Sequence, residues 1–243
     1  MLDPRPESLA RATPYANAAN IPLESLAARS HELPPPGETV LIAAGENSEE
    51  AAALLRTLGR PSEIVDSTLV DVYRQTPLWT LNPTLARIVE GMAPGRVLDL
   101  GCGSGRDAVW LAARGWTVIG VDHLPDALDR ARDLSRHYSP ENPVQTVGVD
   151  LYKTVPEGCF DLVWMAYGLF ERAFRECNAT VKAVETFAPC HREHYNKPSR
   201  ILSLEMCRSW NLGDEILAEE GWRGDRCTVR YAARSAGVSP APR

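Results

Sequence analysis

The residues best placed to do chemistry lie in one run, Val97-Leu98-Asp99-Leu100-Gly101-Cys102-Gly103-Ser104-Gly105-Arg106-Asp107, where an apolar stretch ending in an acid breaks into a glycine loop. Glycines at such a turn permit positive φ and let the backbone approach a bound ligand closely. The segment Gly103-Ser104-Gly105-Arg106-Asp107-Ala108 also fits GxGxxG/A, a dinucleotide fingerprint, so the glycines alone leave a nicotinamide cofactor open. Asp99 and Gly101 extend the pattern to D-x-G-x-G-x-G. A carboxylate there repels a pyrophosphate and suits a cationic ligand.

The elements that must hold this loop can be read around it. Arg96 to Leu100 is short, apolar and β-prone, and Asp107 to Arg114 spaces Ala108, Leu111 and Ala112 as a helix does. A second strand, Thr117 to Val121, ends in Asp122, where an acid about twenty residues past the loop can hydrogen-bond a ribose diol. A helix is expected over Pro125–His137 and a third strand over Val144–Val149, ending in Asp150-Leu151. The fourth strand, Phe160 to Ala166, is apolar enough to be buried on both faces.

With these residues in place the sequence resembles the class I S-adenosylmethionine-dependent methyltransferases: VLDLGCGSGRDAVWLAARGWTVIGVD looks like their first cofactor motif with the acidic end of the second strand. The resemblance implies a Rossmann-like α/β sheet finished by a C-terminal antiparallel hairpin, and S-adenosylmethionine as cofactor. It implies donor contacts from Asp99, Gly101, Cys102, Gly103, Gly105, Asp122, His123, Leu124, Asp150, Leu151 and Ala166. Asp122 would take the ribose, Asp150 and Leu151 the adenine, and Leu124 would pack on the adenine face. Tyr167 and Glu171, past the fourth strand, are the candidates for acceptor contact. Pro77-Leu78-Trp79-Thr80-Leu81-Asn82-Pro83, Glu185-Thr186-Phe187 and Lys197-Pro198 resemble features of the tellurite-resistance-type subgroup, in which the first of these covers the cofactor.

The segment before this, Ala16 to Pro61, resembles the middle of a rhodanese-like domain through its NIPL entry and HELP turn. Its loop reads Ile42-Ala43-Ala44-Gly45-Glu46-Asn47-Ser48 and lacks the cysteine that accepts sulfur. A structural or docking role is expected for it. Helices are expected at Leu23–Ala28 and, capped by Ser48, at Ser48–Leu58, with strands at Thr39–Ile42 and Glu63–Val65. The expected organisation is a degenerate rhodanese-like segment over 1–65, a linker and helix over 66–90, and the methyltransferase domain over 91–243.

After Arg172 the pattern weakens: a short helix from Ala173 to Asn178, a fifth strand from Val181 to Phe187, and none of the family's usual helix and proline-glycine turn between them. That erosion is the feature favouring a donor-binding module without turnover. The tail predicts a hairpin of Glu215–Glu220 and Arg226–Ala232, then a short disordered Ser-Pro-Ala-Pro end. Cys190-His191-Arg192-Glu193-His194 is not expected to bind metal, because a zinc site wants four ligands and no second pair completes it.

Bulk properties narrow the partners. The 243 residues carry a net charge of −6 with no basic stripe, which disfavours nucleic acid and favours a small-molecule acceptor such as a thiol or metalloid. The stretch MLDPRPESLARATPY has no apolar core for a signal peptide, and no run suits a membrane span, so a cytoplasmic location is expected. Six scattered cysteines with no CxxC are expected to remain thiols. The oligomeric state is not legible.

Overall fold

The computed structural model describes residues 1–34, 36–194 and 200–235. Its contacts divide the chain into two units, Met1–Thr80 and Leu81–Arg243, so the stretch expected as a linker, 66–90, is shared between them.

In the first unit, β1 (Leu2–Asp3), α1 (Glu7–Ala12), β2 (Ala19–Asn20), α2 (Leu23–Leu26), β3 (Val40–Ala43), α3 (Ser48–Thr57) and β4 (Ser62–Val65) build a parallel sheet of order β2-β1-β3-β4. Leu2, Ile21, Leu26, Val40, Ile42 and Leu55 form its core. A buried Arg5–Asp3 pair closes one side, with Arg5 Nε and Nη2 each 2.8 Å from an Asp3 oxygen. The cap of α3 is Asn47, not Ser48: Asn47 takes φ +66°, and the Ser48 hydroxyl donates back to Gly45 O at 2.8 Å. A left-handed residue completes the tight loop, and Asn adopts that conformation at little cost.

The second unit carries α4 (Pro83–Val89), β5 (Arg96–Leu100), α5 (Arg106–Ala112), β6 (Thr117–Asp122), α6 (Pro125–Tyr138), β7 (Gln145–Gly148), β8 (Cys159–Ala166), α7 (Glu171–Glu176), β9 (Asn178–Phe187), α8 (Leu204–Ser209), β10 (Asp214–Arg223) and β11 (Arg226–Arg234). Asn82 caps α4, its side chain accepting from Thr84 N and Leu85 N ahead of Pro83 in the first turn. The sheet order is β10-β11-β9-β8-β5-β6-β7, parallel from β9 to β7 and antiparallel at β11 and β10. The chain therefore winds outward in opposite directions from β5 and β8, and their carboxyl ends open a crevice at the switch point. Central strands are buried on both faces, Leu98, Val163 and Val184 being fully enclosed on one and Val97, Leu162 and Ala183 on the other.

Two expectations are corrected here. The apparently eroded stretch 175–180 is a tight junction: α7 ends at Glu176, Cys177 alone turns the chain, and Asn178 already pairs with Cys159. The helix is short, as expected, but the strand begins at Asn178, three residues before the expected Val181. The cysteines are not all free, since Cys190 and Cys227 form a disulfide with Cα atoms 5.9 Å apart. Antiparallel pairing of β11 on β9 brings Cys227 beside the 3-10 helix Pro189–His194 that follows β9, across a sequence separation of 37. Lys197-Pro198 and the Ser-Pro-Ala-Pro end lie outside the described residues.

Candidate functional site

The glycine loop is pinned by backbone to the neighbouring strand. Gly101 N and Cys102 N both donate to Val121 O, at 2.8 and 3.0 Å, and Gly105 N closes the turn onto Cys102 O at 2.9 Å. Gly101, Gly103 and Gly105 have φ of +75°, +55° and +77°. A Cβ at Gly101 would stand 2.6 Å from Phe170 Cε2, and one at Gly105 would stand 2.7 Å from Ala131 Cβ. At Gly103 it would meet nothing within 4 Å, so that glycine faces the open crevice. Gly103→Ala is accordingly expected to cost only the left-handed backbone strain, about 1–2 kcal/mol in thermal or urea unfolding.

Asp122 organises the loop. Its Oδ2 accepts from Gly103 N and its Oδ1 from Leu124 N, each at 3.0 Å, with His123 Nδ1 at 3.4 Å. A carboxylate offers roughly four acceptor sites, so two amides leave capacity for the hydroxyls of a ligand. Beside it, at the carboxyl ends of β6 and β7, a hollow of about 450 Å³ is lined by His123, Pro125, Leu128, Gly148, Val149 and Asp150. Two of the expected contacts, His123 and Asp150, share this hollow. Leu124 stands half exposed between His123 and Pro125, whereas the Leu151 side chain turns into the core. Asp150 is partly exposed, and the Lys153 ammonium at 3.1 Å holds its carboxyl below the usual range.

Buried carboxylates surround the loop. Burial, followed by the charges of Asp107 and Asp122, pushes the Asp99 carboxyl well above its ordinary range. Asp107, which sequence reasoning missed, accepts from Asn82 N at 3.0 Å and from Trp164 Nε1 at 3.1 Å; burial raises its pKa against those hydrogen bonds. Its position in the first turn of α5 was the available signal, since helix N-termini favour acids. Because Asp99 keeps its proton to higher pH folded than unfolded, it lowers stability as pH rises from ~4 through that raised value. Asp99→Asn should therefore raise the melting temperature at neutral pH, with the gain shrinking toward pH 4. A pH series of melting curves reads this directly.

On the other side of the switch point β8 ends at the half-buried Ala166, and Tyr167 takes φ +52°, an uncommon conformation for a bulky residue. The Tyr167 hydroxyl donates to Glu185 Oε1 at 3.1 Å. Glu185 is buried on β9 and was not among the expected site residues; the signal was a lone acid in the apolar run Ala183-Val184-Glu185. Glu171 does not join Tyr167. Its Oε1 accepts from Trp210 Nε1 and Arg175 Nη1, both at 3.0 Å, and it borders a separate open groove with Arg172, Arg175 and Lys182. Phe170 lies over Gly101 and against Tyr152, ring centroids 5.2 Å apart. In the Cys190–His194 segment Cys190 is held in the disulfide and His191 Nδ1 accepts from Cys227 N at 3.3 Å.

Residues 97–186 match the methyltransferase domain family. Among curated proteins the chain is 37% identical over 94 residues to an uncharacterized methyltransferase of Synechocystis sp., covering 38% of this chain and 42% of that protein. It is 34% identical over 79 residues to the 2-heptyl-1-hydroxyquinolin-4(1H)-one methyltransferase of Mycobacteroides abscessus, covering 31% and 33%. It is 32% identical over 111 residues to the ribosomal RNA small subunit methyltransferase C of Alcanivorax borkumensis, covering 46% and 32%. The matched stretches thus span less than half of these relatives. Among solved structures, TehB from Haemophilus influenzae aligns with a TM-score of 0.53 at 15% identity, over 64% of this chain and 62% of that one. Magnesium protoporphyrin IX methyltransferase from Synechocystis, solved with bound S-adenosylmethionine, aligns at 0.51 and 18% identity, over 63% and 76%. A glycine loop at the switch point, an acid at the carboxyl end of each of β5 and β6, and these likenesses converge: residues 97–186 match a methyltransferase domain, and the second unit has the fold of the S-adenosylmethionine-dependent methyltransferases.

Proposed function

We propose that the chain binds S-adenosylmethionine across the carboxyl ends of β5, β6 and β7 and transfers its methyl group to a small-molecule acceptor held at the ends of β8 and β9. The observation that carries this reading is the clustering of Asp99, Asp107 and Asp122 around a loop whose Gly103 faces open space. Such a site is short of positive charge. A sulfonium with its amino group supplies that charge, while a nicotinamide pyrophosphate adds to the repulsion. Asp122 would take the ribose, the hollow of His123 and Asp150 the adenine, and the loop of Gly101, Cys102, Gly103 and Gly105 the amino-acid part, with Ala166 below the methyl.

Methyl transfer from a sulfonium is an in-line displacement, so the protein chiefly aligns donor and acceptor and excludes water. No general base is needed for a thiolate or a reduced metalloid, but one is needed for a hydroxyl. Two relatives bear on the acceptor: one is named for a hydroxyquinolone and one for ribosomal RNA. A chain with net charge −6 fits the smaller class. The first unit, with a loop that offers Gly45, Glu46 and Asn47 where a sulfurtransferase needs a thiolate, serves as a rhodanese-like structural module.

Calorimetry with S-adenosylhomocysteine and with NAD tests the donor. Binding of the first alone is expected, and binding of NAD alone would overturn the reading. Turnover with labelled donor and a panel of thiols, metalloid oxyanions and aryl alcohols should yield product. Donor binding without any product would favour the binding-module alternative.

A further inference from the structure

We propose that Tyr167 and Glu185 form a proton relay, and that the acceptor is therefore a planar aromatic molecule methylated on a hydroxyl oxygen; this rests on the donor site assigned above. Tyr167 follows β8 directly, and β8 pairs with β5 up to Leu100 and Met165, so Ala166 comes level with Gly101 and Tyr167 stands one residue further along the crevice. Its amide donates to Glu185 O at 2.8 Å and its hydroxyl to Glu185 Oε1, so backbone and side chain are both referred to one residue. A bulky residue held at φ +52° needs such over-determination, and strain of this kind concentrates at functional positions.

Glu185 has spare capacity. Its side chain is 2% exposed, and Oε2 is buried with no hydrogen-bond partner, 3.8 Å from Arg223 Nη1. Leaving a buried carboxylate oxygen unsatisfied is costly, so this carboxylate is short of donors while its Oε1 already faces the Tyr167 hydroxyl that would hand it a proton. Burial, and then the Glu185 charge, push the Tyr167 hydroxyl up to about 12 against a hydrogen bond with Arg226, so the hydroxyl keeps a proton to hand on. As the acceptor oxygen attacks the sulfonium methyl, its O–H proton moves to Tyr167 and the tyrosine proton moves to Glu185. The new C–O bond takes the place of the S–C bond, whose electron pair stays on sulfur. The products are the methyl ether, neutral S-adenosylhomocysteine and protonated Glu185.

Two arginines flank the pair and offer donors to an acceptor oxygen. Arg223 closes β10 and Arg226 opens β11, at the hairpin turn on this same edge. Arg223 also donates to Thr84 Oγ1 at 3.2 Å, and Arg226 stands over the Tyr167 ring at 5.4 Å. Each guanidinium has an acidic neighbour, Glu185 at 3.8 Å from Arg223 and Asp225 at 3.9 Å from Arg226, and each keeps further N–H donors for an oxygen gathering negative charge. Asp107, whose carboxyl feels the Glu185 charge, is held by Asn82 N and Trp164 Nε1. The edge is also aromatic: Phe187 lies 5.4 Å from Tyr167 and stacks on His191 at 4.8 Å, and Trp222, 56% exposed, extends the row. Flat rings pack on such a row with offset or edge contacts.

The test uses the full chain, S-adenosylmethionine, and a series of phenols and hydroxyquinolines of graded acidity, with benzenethiol and selenite beside them. Methyl ethers are expected from the hydroxyl compounds. Glu185→Gln and Tyr167→Phe should each lower kcat/KM about 10²–10³-fold for weakly acidic phenols, within the range of general-base catalysis. The loss should fall below about tenfold for nitrophenols already ionised at the assay pH, because these bring no proton to remove. S-adenosylhomocysteine affinity should stay unchanged in both variants. Tyr167→Phe keeps the ring, so it reports even if Glu185→Gln is misfolded. Equal losses across the acidity series, unchanged rates, or product only from the thiol or selenite would overturn the relay. So would donor binding with no hydroxyl turnover. Failure of the wild-type chain to bind S-adenosylhomocysteine would instead strike the donor site itself.

Discussion

Replacing Asp122 by alanine is expected to weaken S-adenosylhomocysteine binding by roughly 10- to 150-fold, about 1.5–3 kcal/mol, and to lower stability as well. Each loss has its own source. A ribose hydroxyl bonded to a carboxylate contributes roughly 1.5–3 kcal/mol, and the variant has no oxygen to offer. Gly103 N and Leu124 N also lose their shared acceptor, so both shoulders of the crevice are released together. Unsatisfied buried donors cost roughly 1–3 kcal/mol each, less where water reaches them. Asp122→Asn separates the effects, since its single carbonyl can keep one amide and forfeits the charge. Calorimetry gives the affinity and urea unfolding the stability. Wild-type affinity in a destabilised Asp122→Ala chain would reduce Asp122 to a brace for the loop.

Breaking the Cys190–Cys227 link is expected to cost roughly 3–4 kcal/mol, the chain-entropy value for a loop closed across 37 residues. The figure is an upper bound, because Ala188 N to Cys227 O and Cys227 N to His191 Nδ1 hold the same junction by hydrogen bonds. Cys190→Ser is the cleaner variant. Cys190 is exposed, whereas Cys227 is fully buried and its truncation would add a cavity cost. Urea unfolding of the oxidised chain, the reduced chain and Cys190→Ser should show the first well above the other two. Coincident curves would mean that the cross-link is not formed in solution.

Much of the cofactor side was legible because its signals are local. The strand Arg96–Leu100 was read without error, and β6, β8 and α6 to within one residue, since each is an apolar run or helical stripe ending at a glycine, acid or proline. The positive φ values of Gly101, Gly103 and Gly105 follow from the same short motif. Local pattern was a poorer guide where a neighbour in space decides. Ser48 has the right chemistry for a cap, yet the turn from Gly45 makes Asn47 the cap. Glu171 sits next to the expected cleft in sequence, yet Trp210 and Arg175 claim its carboxylate.

The acceptor side was decided by long-range pairing alone. That an acid stands at the carboxyl end of β5 and of β6, and that glycines part Asp99 from the helix, belongs to the sequence, because backbone sterics and hydrophobic periodicity act over a few residues. That Glu185 stands behind Tyr167, that Arg223 and Arg226 overhang them, and that Cys227 meets Cys190 belong to the tertiary structure. These depend on β9 lying parallel to β8 and on β11 folding back antiparallel against β9. A strand register is set by how whole faces bury against each other, and a slip of one residue would send every one of those side chains to the opposite face.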